Sequence, residues 1–137
     1  MRAYLIDEIP APEIEQIKGF LKKHAIRSNL DQIFWVRIPD DLLNETQFLH
    51  TQCQPHVFAV ELGPDWIKLE LFVRTLKSMR CDCSAYSTPI QRDYIFKFGD
   101  GIIVQIKGDE LTVMFDQVGM KRLLESMSAI TRRINFA

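Results

Sequence analysis

The sequence predicts an α+β domain, a two-layer sandwich in which a mixed or antiparallel sheet packs against three to four helices. Three observations carry that expectation. Apolar and polar residues alternate from Phe58 to Leu62 and from Ile67 to Val73 on either side of Gly63-Pro64-Asp65, the period-2 pattern of a β-hairpin. Ile14, Ile17, Leu21 and Ala25 recur at helical spacing behind Pro10 and Pro12, and Thr88-Pro89-Ile90-Gln91 reads as a capping box with proline at the first helical position. The 137 residues, 47% hydrophobic and 26% charged, contain no repeat, linker or low-complexity tract, so residues 1–137 form one domain able to bury a core without disulfides or a structural metal.

In chain order, residues 3–6 make a short apolar strand, and the stripe from Ile14 to Ala25 makes the first helix. Residues 33–38, apolar, aromatic and β-branched apart from Arg37, form a second strand closed by Pro39. Asp40 caps a second helix with Leu42, Leu49 and Cys53 along one stripe. The central strands span about 56–62, 67–74 and 79–86. Placing both apolar sets of the hairpin on one face sets Leu62 opposite Ile67, Val60 opposite Leu69, Phe58 opposite Leu71 and, on the other face, Glu61 opposite Lys68. The third of these strands turns Met79, Cys81, Cys83 and Ala85 inward. With Met79 beside Val73 and Cys81 beside Leu71, Glu70 then faces Asp82.

A third helix carries Ile90, Tyr94, Ile95 and Phe98. Gly99, Gly101 and the β-branched run 102–106 leave two readings open: a stop near Phe98 followed by a hairpin through 107–110, or a helix continuing to Ile106. Asp116 caps a final helix whose stripe is Met120, Leu123, Leu124, Met127, Ile130, Thr131 and Ile134.

A net charge of -1 supplies no long-range field for phosphate backbones, which disfavours general nucleic-acid binding. No apolar run approaches the roughly 20 residues of a membrane span. Arg2, Asp7 and Glu8 break any charged-then-apolar leader pattern, so the expected setting is cytoplasmic, with the odd number of cysteines reduced. Phosphate loops, H-E-x-x-H and G-x-S-x-G are all missing. The reading leans away from an enzyme, and no cofactor is expected.

Chemistry-bearing side chains gather in one stretch: His50, Cys53, His56, Cys81 and Cys83, with only His24 elsewhere. Thiolates and imidazoles are the donors zinc takes, but His-x2-Cys-x2-His with Cys-x-Cys departs from the usual C-x2-C and H-x3-5-H spacings. Helical phasing groups Cys53 with Leu42 and Leu49 and leaves His50 nearer the boundary, while strand alternation points Cys81 and Cys83 into the core. The expectation is therefore reduced core thiols rather than a metal site. The second candidate is the opposite sheet face, with Val57, Glu61, Lys68, Glu70, Phe72, Arg80, Asp82 and Tyr86 and with Trp35 near them. Glu70 and Asp82 would stand about 5 Å apart there. Such an aromatic and charged face is covered by a helix or forms a homodimer contact. The reading that results is a non-catalytic binding or interaction module that self-associates. The alternative is an enzyme or metal-dependent protein that uses Glu70 and Asp82 with His50 or His56, or the His50/Cys53/His56/Cys81/Cys83 cluster.

Overall fold

The computed structural model describes residues 2–77, 81–107 and 134–136. Strands β1 (Arg2–Ile6), β2 (Ile26–Arg27), β3 (Ile33–Arg37), β4 (His56–Leu62), β5 (Ile67–Glu70), β6 (Phe72–Thr75), β7 (Ala85–Tyr86) and β8 (Ile134–Phe136) form a sheet in the order β2-β3-β4-β5-β1-β8, with β6 beside β4 and β7 beside β6. Every pairing is antiparallel. Helices α1 (Ala11–His24), α2 (Glu45–Leu49) and α3 (Pro89–Lys107) complete an α+β fold. Ile14, Ile17 and Leu21 of α1 and Ile95, Phe98 and Ile102 of α3 share one core with Tyr4, Phe34, Val36, Phe58, Val60, Ile67 and Leu69 of the sheet. Among the described residues no helix is long and apolar enough to cross a membrane.

The hairpin takes the expected register near its turn: Leu62 faces Ile67, Val60 faces Leu69, and Glu61 faces Lys68 in an ion pair of 3.3 Å. A Cβ on Gly63 would lie 2.0 Å from the Trp66 indole, so only glycine lets that ring fold back over the turn. The expected strand over 67–74 breaks at Leu71. Its N–H donates to Arg2 O at 3.0 Å and its carbonyl accepts from Ser87 N at 3.2 Å, so this residue bonds away from β4. Three steps along β4, from Val60 to Val57, therefore correspond to five on the partner, from Leu69 to Arg74, and Phe58 is not paired with Leu71. Because the insertion is two residues, alternation survives it: Val73 and Thr75 stay buried and Arg74 stays on the side of Glu70.

The strand expected over 79–86 shrinks to Ala85–Tyr86, which pair with Val73 and Phe72. Residues 81–84 form a turn, with Ser84 N donating to Cys81 O, and Met79 and Arg80 lie outside the described residues. Side chains compete with the ladder here. Ser84 Oγ accepts the Thr75 N–H at 3.2 Å and Thr75 Oγ1 accepts Lys77 N at 3.1 Å, so β6 ends at Thr75.

The second helix is likewise divided. A 3-10 turn at Asp40–Leu42 precedes α2, which Asn44 caps, and a second 3-10 turn covers Thr51–Cys53. Leu49, expected on the buried stripe, is 67% exposed. Helix α3 runs through Gly99 and Gly101 to Lys107, so the hairpin alternative fails over that span. At Gly99 a Cβ would stand 3.1 Å from Leu69 and 3.3 Å from Tyr4, and glycine there lets the helix lie close on the sheet. Of the final expected helix, 116–133 lies outside the described residues; Ile134 sits in β8 opposite Tyr4 instead.

Candidate metal centre

The centre is built from two arms. Asn44 and Gln47 form the capping box of α2: Asn44 Oδ1 accepts from Gln47 N at 2.8 Å, and Gln47 Oε1 accepts from Asn44 N at 3.1 Å. The helix ends after five residues, and His50 opens the 3-10 turn in which Cys53 N donates to His50 O at 2.9 Å. With three residues per turn, positions i and i+3 eclipse, so His50 and Cys53 are on one side. The α-helical phasing that kept them apart does not apply to this turn. The second arm is the turn at Asp82 and Cys83, which draws together two cysteines that an extended strand would hold roughly 6.6 Å apart.

The arms meet. His50 Nδ1 lies 2.9 Å from Cys81 Sγ, and one donor atom from each of His50, Cys53, Cys81 and Cys83 falls within 4.8 Å of the others. Cys53 and Cys83 are buried, while His50 and Cys81 are half-buried. Both arms are anchored from outside the donor set. The Thr75 hydroxyl donates to the Cys53 carbonyl, and Gln47 Nε2 donates to Cys83 O at 2.9 Å. Gln91 Nε2 in turn donates to Gln47 Oε1 at 2.8 Å and Leu42 O at 3.0 Å, and Gln91 belongs to the capping box that Thr88 makes at the start of α3. Gln47, Gln91 and Thr75 are buried and were not anticipated as parts of a site. The Asn44-x-x-Gln47 and Thr88-x-x-Gln91 pairs are the sequence signals that mark two of them.

The three thiols are free and differ in acidity. Hydrogen bonds from Cys83, first through its backbone and then its side chain, and from Cys53 draw the Cys81 thiol down to about 7. Burial and the neighbouring thiols push Cys83 up to about 12. Cys53 is raised by its hydrogen bond with Cys81 and by burial. Without an ion, Cys81 is therefore the most acidic thiol of the three. Three sulfurs and one imidazole are a donor set for zinc. A tetrahedron with three bonds of about 2.3 Å to sulfur and one of about 2.0–2.1 Å to nitrogen has edges of about 3.5–3.8 Å, within about 1 Å of the 4.8 Å that spans these donors.

His56 does not join the four donors. It sits in β4 opposite Thr75, is buried, and neither ring nitrogen has a hydrogen-bond partner among the described residues. Burial, and next the charge of His50, lower its pKa, so the folded state holds the ring neutral. The unfolded chain binds the proton more readily. Stability linked to this group is thus fully present above the ordinary histidine value of about 6.5 and is lost as pH falls below it. In chelator-treated protein, urea midpoints should fall between about pH 7.5 and pH 5.5, and His56→Leu should flatten that slope; an equal slope in the variant would assign the effect elsewhere.

The carboxylate pair of the opposite face is not assembled. Glu70 lies across from Ala3 and ion-pairs with Arg74, and Asp82 is exposed in the cysteine turn. Arg80 lies outside the described residues. Val57 is fully buried. Around it, Arg74 lies 5.7 Å over Trp35 and 5.3 Å over Phe72, Phe72 meets Tyr86 edge-on at 5.4 Å, and Arg2 lies 5.4 Å over Tyr86. This face is a set of cation–π and ion-pair contacts rather than an acid–base site. Compared with known proteins, the chain matches no family model, no curated protein and no solved structure.

Proposed function

We propose that the protein is a non-catalytic binding or interaction module clamped by one zinc ion, with His50, Cys53, Cys81 and Cys83 as ligands. The observation that carries this reading is the convergence of three sulfurs and one nitrogen within 4.8 Å from two arms of the chain. Four protein donors fill a tetrahedron and leave no position for water or substrate, which favours a structural over a catalytic ion. The ion ties residues 50–53 to 81–83, and its binding energy adds to folding: about 2.7 kcal/mol when free zinc is a hundredfold above the dissociation constant. Three free thiols suit a reducing, cytoplasmic setting. Elemental analysis of protein purified without added metal should find one zinc per chain, and chelation should lower the melting midpoint. Absence of stoichiometric metal together with no stabilisation by any divalent ion would remove this reading.

A second reading concerns self-association. Tyr86 is 54% exposed beside Phe72, Arg2 and Arg74, and aromatic residues with arginine are the types enriched at interface centres. A homodimer through this face should sediment as a dimer in the wild type and as a monomer in Phe72→Glu. Identical sedimentation of the two would discard the interface.

A further inference from the structure

Among the three sulfur ligands, Cys81 alone is half-exposed; Cys53 and Cys83 are buried. Its Sγ stands 2.9 Å from His50 Nδ1 and within 4.8 Å of two other thiols. An accessible sulfur, a neighbouring imidazole and a second thiol in reach are the features that make a cysteine a selective target of peroxides. We propose that Cys81 is an oxidation site for hydroperoxides and that Cys53 is its resolving thiol, so that formation of a Cys53–Cys81 disulfide expels the zinc; this rests on the zinc reading above.

The steps balance with hydrogen peroxide as the only co-reactant. The Cys81 thiolate attacks one peroxide oxygen, the O–O bond breaks, and Cys81 becomes a sulfenic acid as hydroxide leaves. The Cys53 thiolate attacks that sulfur, the S–S bond forms, the S–O bond breaks, and a second hydroxide leaves. Two electrons have passed from the two sulfurs to peroxide, and solvent protonates both hydroxides. With Cys53 and Cys81 bridged, only His50 and Cys83 would remain to hold the ion, two donors short of a tetrahedral site. Cys53 is the resolving partner because it stands on the other arm, where approach of the side chains is enough. A bridge from Cys81 to Cys83 would have to close across a turn already held by Ser84 N–H on the Cys81 carbonyl. The disulfide joins positions 53 and 81, so a cross-link between the arms is kept in both states.

The test uses the full chain, with its zinc content measured first and a chromogenic zinc chelator present when hydrogen peroxide is added. The expected result is one zinc released per peroxide consumed, a mass lower by two hydrogens, a peptide map joining Cys53 to Cys81, and recovery with dithiothreitol plus zinc. In Cys83→Ser, treated metal-free, the same bridge should form. Zinc-loaded protein that retains its metal and three free thiols in a tenfold excess of peroxide overturns the oxidation site and leaves the zinc reading standing. A Cys81–Cys83 bridge overturns the role of Cys53. A chain that carries no zinc before peroxide is added overturns the zinc reading and this inference with it.

Discussion

Cys83→Ser should abolish stoichiometric zinc binding and lower the thermal midpoint by on the order of 15 °C in zinc-replete buffer. Serine is a poor zinc ligand, and among the described residues no fifth donor joins the cluster, since His56 is buried outside it. At free zinc a thousandfold above the dissociation constant, the wild type gains about 4 kcal/mol from the ion, and each kcal/mol moves the midpoint of a domain this size by roughly 3–6 °C. In excess chelator that difference should shrink to about 1–2 kcal/mol, the cost of a hydroxyl in a buried thiol position. Differential scanning calorimetry with and without chelator reads both numbers. A variant that melts as far below the wild type in chelator as in zinc would assign Cys83 to packing alone.

Gln47→Leu should weaken zinc binding roughly 10–100-fold although Gln47 never touches the ion. The substitution removes the donor to Cys83 O and the acceptor for both Gln91 Nε2 and Asn44 N. Gln91 Nε2 still reaches Leu42 O, so two groups are left unpaired at about 1–3 kcal/mol each, and the metal-free fold should also lose about 2–6 kcal/mol. Gln47→Glu separates these effects, because it retains the acceptor that serves Asn44 and Gln91 and loses the donor to Cys83. Titration with cobalt, followed by its visible absorption, should show weaker binding in both variants. Wild-type affinity in Gln47→Glu would mean that the Cys83 turn needs no hold from Gln47.

Local patterns in the chain carried most of the sheet and little of the centre. The turn at Gly63-Pro64-Asp65 and the apolar alternation beside it determine the pairing from Leu62 to Val60 and from Ile67 to Leu69. That register stops at Leu71, whose backbone groups bond to Arg2 and Ser87, partners 69 and 16 positions away that no period-2 pattern reports. The cysteine turn differs from the expected strand for a related reason. Met79 to Tyr86 alternates like a strand, but Ser84 Oγ takes the N–H of Thr75, a tertiary bond that ends β6 and folds the chain back over the Thr51–Cys53 turn. The convergence of His50 and Cys53 depended on three residues per turn rather than 3.6, which hydrophobic phasing over so short a segment does not distinguish. Asn44-x-x-Gln47, which ends three positions before His50, is the local signature that starts α2 late and makes the helix short.

X-ray absorption at the zinc edge, on protein purified without added metal, tests the zinc clamp most directly. The expected shell is three sulfurs at about 2.3 Å and one nitrogen at about 2.0–2.1 Å, reduced to two sulfurs in Cys83→Ser where any zinc remains. A zinc-free protein, or an ion surrounded only by oxygen and nitrogen, would contradict a centre made of His50, Cys53, Cys81 and Cys83.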